Sequence, residues 1–179
     1  MIHHRHALTS IIALALTSAL VVGCSPAPEP TPTPTAAFAS EEEAFAAAEE
    51  TYRAYNDAFN AVDLSDPGTF ERLYELSSGD FETADRETLS KLHAANYEFT
   101  GEMTVAKFRG VESDSSIKQV VAEVCIDVSK TDVVDQAGAS VVNADRPAMN
   151  PLRVTFVFAK DRWLIDRADR DLEISCGSN

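Results

Sequence analysis

Apolar and polar positions alternate with two different periods along the chain, and the period changes near residue 97. From residue 45 to residue 62, apolar side chains recur at spacings of three and four, which predicts a long helix with one continuous apolar stripe. The sequence Ser40-Glu41-Glu42-Glu43 has the form of a capping box and predicts the start of this helix. The stripe consists of Phe45, Ala48, Tyr52, Tyr55, Phe59 and Val62.

Two further helices are predicted before the period changes. Asp66 followed by Pro67 is typical of a helix start, and Gly79 is a suitable stop for that second helix. A third helix is expected from Ala84 to Asn96. The side chains expected to face inward are Phe70, Leu73 and Tyr74 on the second helix, and Leu89, Leu92 and His93 on the third.

After Tyr97 the apolar residues alternate with polar ones, which predicts strands. The alternating segments are 103–106, 120–128 and 152–158, and Lys160-Asp161 is expected to turn the last of them into a hairpin with residues 163–165. Residues 131–151 contain one glycine and two prolines and are expected to form a long excursion with room for one short strand. Helices followed by antiparallel strands predict an α+β fold.

This order of elements resembles the NTF2-like, or SnoaL-like, cone-shaped fold, in which N-terminal helices pack on a curved antiparallel sheet. The resemblance rests on Tyr52, Tyr55 and Phe59 of the long helix, and on residues 154–158 followed by the strand 162–165. A cystatin-like arrangement, with a helix packed on a sheet, is the alternative.

The N-terminus has the features of a leader. The apolar run from Ile11 to Val22 is roughly 18 Å long as a helix, which is too short for a hydrocarbon core of ~30 Å. Length and flanks therefore predict a signal peptide. The sequence Leu20-Val21-Val22-Gly23-Cys24 resembles the lipobox of bacterial lipoproteins, which implies cleavage before Cys24 and lipid attachment to its sulfur.

Residues 25–40 contain five of the eight prolines and are expected to form an extended tether. The predicted organisation is a signal peptide over residues 1–23, a lipidated cysteine and tether over 24–40, and one α+β domain over 41–179. Residues 41–175 are also similar to small lipoproteins of actinobacteria. We therefore expect an extracytoplasmic protein that lipid on Cys24 anchors to the cell membrane.

Charge and composition exclude several classes of function. The formal net charge is −14, and loss of Arg5 with the leader makes it about −15, so binding to nucleic acid is not expected. His93 is the only histidine outside the leader, which argues against a histidine-based metal site. No nucleotide-binding glycine motif and no nucleophile elbow is present, and no cofactor is predicted.

Two cysteines remain after Cys24. Cys125 lies in a predicted strand and Cys176 lies near the C-terminus. Outside the cytoplasm such a pair is expected to form a disulfide, and only one intramolecular pairing is available. The spacing is not C-x-x-C, so we expect the bond to be structural rather than redox-active.

Candidate chemistry follows from the resemblance alone. Enzymes with the NTF2-like fold place a carboxylic acid and a hydrogen-bond donor in an apolar pocket, where a dry environment tunes the acid. Tyr52 or Tyr55 would be the donor, and Glu102 or Glu123 would be the acid. His93 is either a proton-transfer group or a structural histidine. Trp163 is a further candidate for the pocket wall.

No spacing selects one of these pairs, so no catalytic residue is predicted. The preferred hypothesis is a non-catalytic binding module at the cell envelope, whose partner is an envelope protein, a wall component or a small apolar ligand. The alternative is a SnoaL-like enzyme that performs acid–base chemistry on a small hydrophobic substrate. A homodimer is a further open alternative.

Overall fold

A computed structural model describes residues 38–114 and 116–177 of the chain. The predicted signal peptide, Cys24 and most of the tether lie outside these residues and stay predictions. The helical segments are α1 (Glu41–Asn60), a 3-10 turn (Pro67–Phe70), α2 (Glu71–Tyr74) and α3 (Gly79–Ala94). The strands are β1 (Glu98–Thr100), β2 (Thr104–Ser113), β3 (Gln119–Asp127), β4 (Asp132–Val134), β5 (Met149–Ala159) and β6 (Arg162–Arg170).

Helix α1 forms as its capping sequence and apolar stripe predict. The Ser40 hydroxyl accepts a hydrogen bond from the Glu43 backbone N–H at 3.2 Å, and the Glu43 carboxylate accepts one from the Ala39 N–H at 3.0 Å. These bonds satisfy donors that the helix itself leaves free. The stripe turns Ala48, Tyr52 and Tyr55 into the core.

The second helix is shorter than predicted, and the prediction that Gly79 ends it is wrong. Asp66 caps the 3-10 turn through the Gly68 N–H, and α2 already ends at Tyr74. Gly79 instead begins α3 with a φ of +57°, and a Cβ there would lie 2.5 Å from the Asp166 carboxylate. Glycine is therefore required at the corner where the chain enters α3.

The sheet is antiparallel, with the strand order β2-β3-β5-β6, and β1 pairs with β4 in a separate two-stranded ribbon. Register shifts interrupt the β2–β3 pairing twice and the β5–β6 pairing once. Such bulges bend and twist a sheet, which explains its curvature around the helices. Residues 160–161 both have positive φ values and connect β5 to β6 as the predicted two-residue turn.

One face of the sheet packs against the helices. Alternate residues of β3, from Val120 to Ile126, expose at most 3% of their surface and form the centre of the core. Helix α1 approaches β2 so closely that a Cβ on Gly110 would lie 2.2 Å from the ring of Phe45. The molecule thus has the predicted α+β class, with helices packed on a curved antiparallel sheet.

The C-terminal tail crosses the other face of the sheet. The Asp171 N–H donates to the Pro151 carbonyl oxygen, Ile174 is buried, and Cys176 is bonded to Cys125 of β3. The predicted disulfide is therefore present, and it holds the tail against the sheet. A structural disulfide is typical of proteins that fold in an oxidising compartment outside the cytoplasm. No helix among residues 38–114 and 116–177 is long and apolar enough to span a bilayer.

Candidate functional site

Aromatic side chains fill the space between α1, α3 and the sheet. Tyr52 and Tyr55 expose 3% and 4% of their surface, and Phe156 of β5 is fully buried. The Tyr52 ring lies 6.3 Å from that of Phe156, and Phe108 of β2 lies 6.0 Å from Phe156 on another side. Phe81 of α3 packs edge-on against Tyr55 at 5.1 Å. Because these rings contact one another directly, they leave no room for a substrate between them.

One polar pair lies at the edge of this interior. The Tyr55 hydroxyl donates a hydrogen bond of 2.8 Å to the Asp85 carboxylate of α3. Helix α1 supplies the tyrosine through its buried stripe, and α3 supplies the aspartate one turn after Phe81. The two residues form a donor and an acid side by side, which is the chemical combination that the resemblance to NTF2-like enzymes implies.

The environment of this pair changes its acid–base properties. Burial raises the pKa of Asp85 to about 6, although the hydrogen bond from Tyr55 acts in the opposite direction. Burial also raises the pKa of Tyr55 and of Tyr52, and the Asp85 charge adds to both effects. Both tyrosines therefore stay protonated at neutral pH, while Asp85 changes its charge just below it.

We expect Asp85 to make the free energy of unfolding fall as the pH rises from about 4 to about 6. The pKa of Asp85 is higher in the folded state than the ordinary value of 3.8, so the fold favours the protonated acid and ionisation costs stability. A shift of this size corresponds to about 2–3 kcal/mol. Asp85→Asn keeps an acceptor for Tyr55 and should abolish the fall. Urea unfolding of both proteins between pH 4 and 7 measures the difference.

The matched control for this experiment is Asp80→Asn, which removes an exposed carboxylate from the first turn of the same helix. Asp80→Asn should retain the dependence on pH that the unmodified chain shows. If Asp85→Asn and Asp80→Asn have the same pH profile, Asp85 is not the group that titrates in this window.

The two predicted acids do not lie in the interior. Glu102 is exposed between β1 and β2. Glu123 lies on the opposite face of β3 from the core, where its carboxylate contacts Arg109 at 2.5 Å and Arg153 at 3.8 Å. The acid that the fold brings to Tyr55 is Asp85, which the sequence analysis did not select. The one signal in the sequence that could have indicated Asp85 is its position one turn after Phe81, on the same face of the helix.

His93 lies near the end of α3, away from the Tyr55–Asp85 pair. Its Nδ1 atom is 2.6 Å from the carbonyl oxygen of Leu64, in the loop that follows α1. In the neutral ring Nδ1 then carries the proton, and Nε2 is left as an acceptor. This bond to a backbone oxygen is the structural role that was predicted as one alternative for His93, but the residue is exposed and does not face inward as the helix pattern predicts.

The same histidine lines an open groove of about 950 Å³, which we call the end groove. One wall is the loop after α1 together with the end of α3, and the other is the turn that follows β4. Its lining residues are Val62, Asp63, Leu64, Ser65, His93, Asn96, Tyr97, Glu98, Phe99, Val134, Asp135, Gln136, Ala137 and Gly138. Within the described residues, no group of three or more His, Cys, Asp or Glu side chains is arranged to hold a metal ion.

Trp163 lies at the opposite end of α1 from the end groove. Phe38 stacks on its ring at 5.3 Å, and Phe158 packs edge-on against the same ring at 5.5 Å. Trp163 therefore belongs to the contact between the residues that precede α1 and the β5–β6 hairpin. The candidate residues of the sequence analysis are thus divided among five places, and only Tyr52 and Tyr55 lie together.

Comparison with solved structures identifies the architecture. A proposed aromatic ring hydroxylase of Novosphingobium aromaticivorans matches with a TM-score of 0.54 and 12% identity, over 76% of this chain and 93% of that one. The intermembrane space region of the chloroplast protein ARC6 matches with a TM-score of 0.51 and 13% identity, over 70% of this chain and 95% of that one. A proposed polyketide cyclase of Xanthomonas campestris matches more weakly, with a TM-score of 0.38 and 14% identity over 73% and 94% of the two chains.

No protein-family model and no curated protein matches the sequence. At these identities the structural likeness concerns the fold and not the activity. It confirms the arrangement that the order of elements predicts, in which helices pack on a curved antiparallel sheet. The domain therefore has the NTF2-like cone fold.

Proposed function

We propose that this protein is a lipid-anchored, extracytoplasmic binding module, and that its binding site is the end groove. The observation that carries the proposal is the contrast between the two candidate sites. Tightly packed rings fill the interior of the cone, whereas the end groove is open and has a volume of about 950 Å³, within the range of ligand sites. Its lining combines apolar and aromatic side chains with polar and acidic ones.

The groove has the composition that a ligand site needs. Val62 and Phe99 supply apolar surface, and Tyr97 supplies an aromatic ring with a hydroxyl. The His93 ring is held in place by its bond to Leu64, so its second nitrogen has a fixed direction. A fixed polar group on an apolar surface selects the orientation of a ligand at a small entropic cost.

The position of the groove also supports this role. Phe38 lies just before the cap of α1 and is half-buried. Its ring packs on Trp163. The groove begins at Val62, just beyond the other end of this helix of 20 residues, which is about 30 Å away. The groove is therefore remote from Phe38, the described residue nearest to the predicted tether.

The binding function can be tested with a solvent extract of envelope lipids and metabolites. The full-length chain, held in non-ionic micelles, is incubated with the extract, and bound compounds are identified by mass spectrometry. We expect to recover bound compounds without any chemical change to them. Tyr97→Ala should no longer retain these compounds, whereas Asp85→Asn should still retain them. If the unmodified chain converts a compound from the extract and Asp85→Asn does not, the result would contradict a binding module and favour an enzyme.

A catalytic role for the Tyr55–Asp85 pair is the second candidate function. The specific observation in its favour is a carboxyl group with a pKa of about 6 that is bonded to a buried tyrosine. Groups tuned to this range are suited to proton transfer at neutral pH. This candidate requires the surrounding rings to move apart, because they occupy the space that a substrate would need.

Lipid anchoring is tested at Cys24. Cys24→Ala removes the only sulfur to which the lipobox-like sequence could attach lipid, so the chain should move from the membrane fraction to the soluble fraction or remain unprocessed and unlabelled. Fractionation of cells fed a labelled fatty acid measures both effects. Cys24→Ser, which retains a similar side chain without the thiol, should behave in the same way. Continued labelling of either variant would contradict the anchor.

A further inference from the structure

The end groove is lined by acidic and aromatic residues and by no strongly basic ones. Asp63, Glu98 and Asp135 contribute carboxylates, and among its described lining residues none is a lysine or an arginine. The Ser65 hydroxyl and backbone N–H both donate to the Asp63 carboxylate, and this lowers the pKa of Asp63. The backbone N–H groups of Ala137 and Ala139 donate hydrogen bonds to the Asp135 carboxylate and hold it in place. Two of the three charges are thus fixed at the groove walls.

Two helices end beside the groove and add to its negative potential. Helix α1 ends at Asn60, two residues before the lining begins, and α3 ends at Ala94, between two lining residues. The C-terminal end of a helix carries a partial negative charge and favours a nearby cation. The carboxylates and both helix ends therefore favour the same sign of ligand charge.

Aromatic and apolar surface lies next to these charges. The Tyr97 ring is half-buried in the groove, and the half-buried Phe99 ring packs at 5.0 Å on Phe59 of α1. Aromatic rings bind ammonium groups through the negative potential of their faces, and weakly hydrated organic cations lose little solvation in such a site. An inorganic cation would instead need several oxygen ligands converging on one point.

We propose that the end groove binds a small organic ammonium ion, with the cationic group between Tyr97 and the acidic wall and the apolar body on Val62 and Phe99. This inference rests on the proposed binding function and specifies its ligand class. The charge of Glu98 is the most direct test, because this side chain is exposed and glutamine keeps its shape while removing only the charge.

The test uses three probes of similar shape but different charge. Choline is cationic, 3,3-dimethylbutan-1-ol is its neutral carbon analogue and 3,3-dimethylbutyrate is anionic. Saturation-transfer NMR measures their dissociation constants with the full-length chain in dodecyl maltoside micelles, which contain no ammonium group. We expect choline to bind about tenfold more tightly than the alcohol, and the butyrate to bind more weakly than both.

Three variants locate the effect. Glu98→Gln should weaken choline binding about fivefold and leave the alcohol unchanged, because it removes only a charge. Tyr97→Leu should weaken choline more than the alcohol, because it keeps apolar surface and removes the ring face. Glu102→Gln is the matched control, since it removes an exposed carboxylate that does not line the groove and should change neither probe.

Several results would overturn the ammonium ligand. They are equal affinity for choline and the alcohol, absence of choline binding, or equal effects of Glu98→Gln and Glu102→Gln. The alcohol or the butyrate could bind more tightly than choline, and Tyr97→Leu could weaken that binding. This result would refute the proposal of an ammonium ligand but would leave the proposal of a binding module standing. The binding module itself fails on a separate result, the consumption of a compound that depends on Asp85.

Discussion

Phe156→Ala is expected to lower the free energy of unfolding by about 3–5 kcal/mol, the largest effect of any single change considered for this protein. The Phe156 side chain is fully buried on β5 and contacts both Tyr52 of α1 and Phe108 of β2. Removing the ring leaves a cavity that neighbouring strands cannot close without breaking their pairing. Urea unfolding at pH 7, read by far-UV circular dichroism, measures the loss.

The matched control is Phe158→Ala, two residues along the same strand and on the same face. Phe158 is only half-buried and packs against Phe38 and Trp163 at the end of the sheet. Its replacement should cost clearly less, about 1–2 kcal/mol. If Phe156→Ala costs no more than Phe158→Ala, the interior is not close-packed. The argument against a substrate in the cone would then fail, and the Tyr55–Asp85 enzyme would become the better candidate.

Loss of the disulfide is expected to have the second largest effect. Cys125→Ala combined with Cys176→Ala should lower the free energy of unfolding by about 4 kcal/mol, because the bond closes a loop between residues 51 positions apart and restricts the unfolded chain. The unmodified chain treated with a reductant should lose a similar amount. Thermal unfolding of oxidised, reduced and doubly substituted chains provides the comparison.

A second variant separates the covalent bond from the packing of the tail. Lys107→Ala removes the hydrogen bond from the Lys107 ammonium group to the Ser175 carbonyl oxygen but leaves the disulfide intact, so it should cost less than about 1 kcal/mol. The opposite order, with a large effect of Lys107→Ala and a small effect of the double substitution, would show that tail packing and not the bond stabilises the domain.

The filled interior distinguishes this domain from an NTF2-like domain with an internal pocket. Its fold is a scaffold that can carry unrelated functions, so the chemistry of the site decides between them. Here the buried aromatic stripe of α1 stabilises the cone, and the open surface lies beyond the ends of the helices. That distribution supports the proposal that the domain binds a ligand at its end rather than catalysing a reaction in its interior.

The sequence by itself determined those features that depend on neighbouring residues. The limits of α1 follow from the cap at Ser40 and the spacing of its stripe, and the β5–β6 hairpin follows from alternation on both sides of a two-residue turn. The pairing of Cys125 with Cys176 needed only the number of cysteines outside the predicted leader and lipidation site. Each of these is a local pattern or a count, so one sequence is sufficient.

The sites were decided by the tertiary structure alone. Asp85 meets Tyr55 across 30 positions of sequence because α3 crosses α1 with that face inward, and no local pattern states how two helices cross. Gly79 begins a helix because the chain must turn beside Asp166 of β6, a residue far along the sequence. The end groove combines a loop after α1, the end of α3 and the turn after β4. Its existence depends on packing between distant segments, which the spacing of residues within any one of them does not encode.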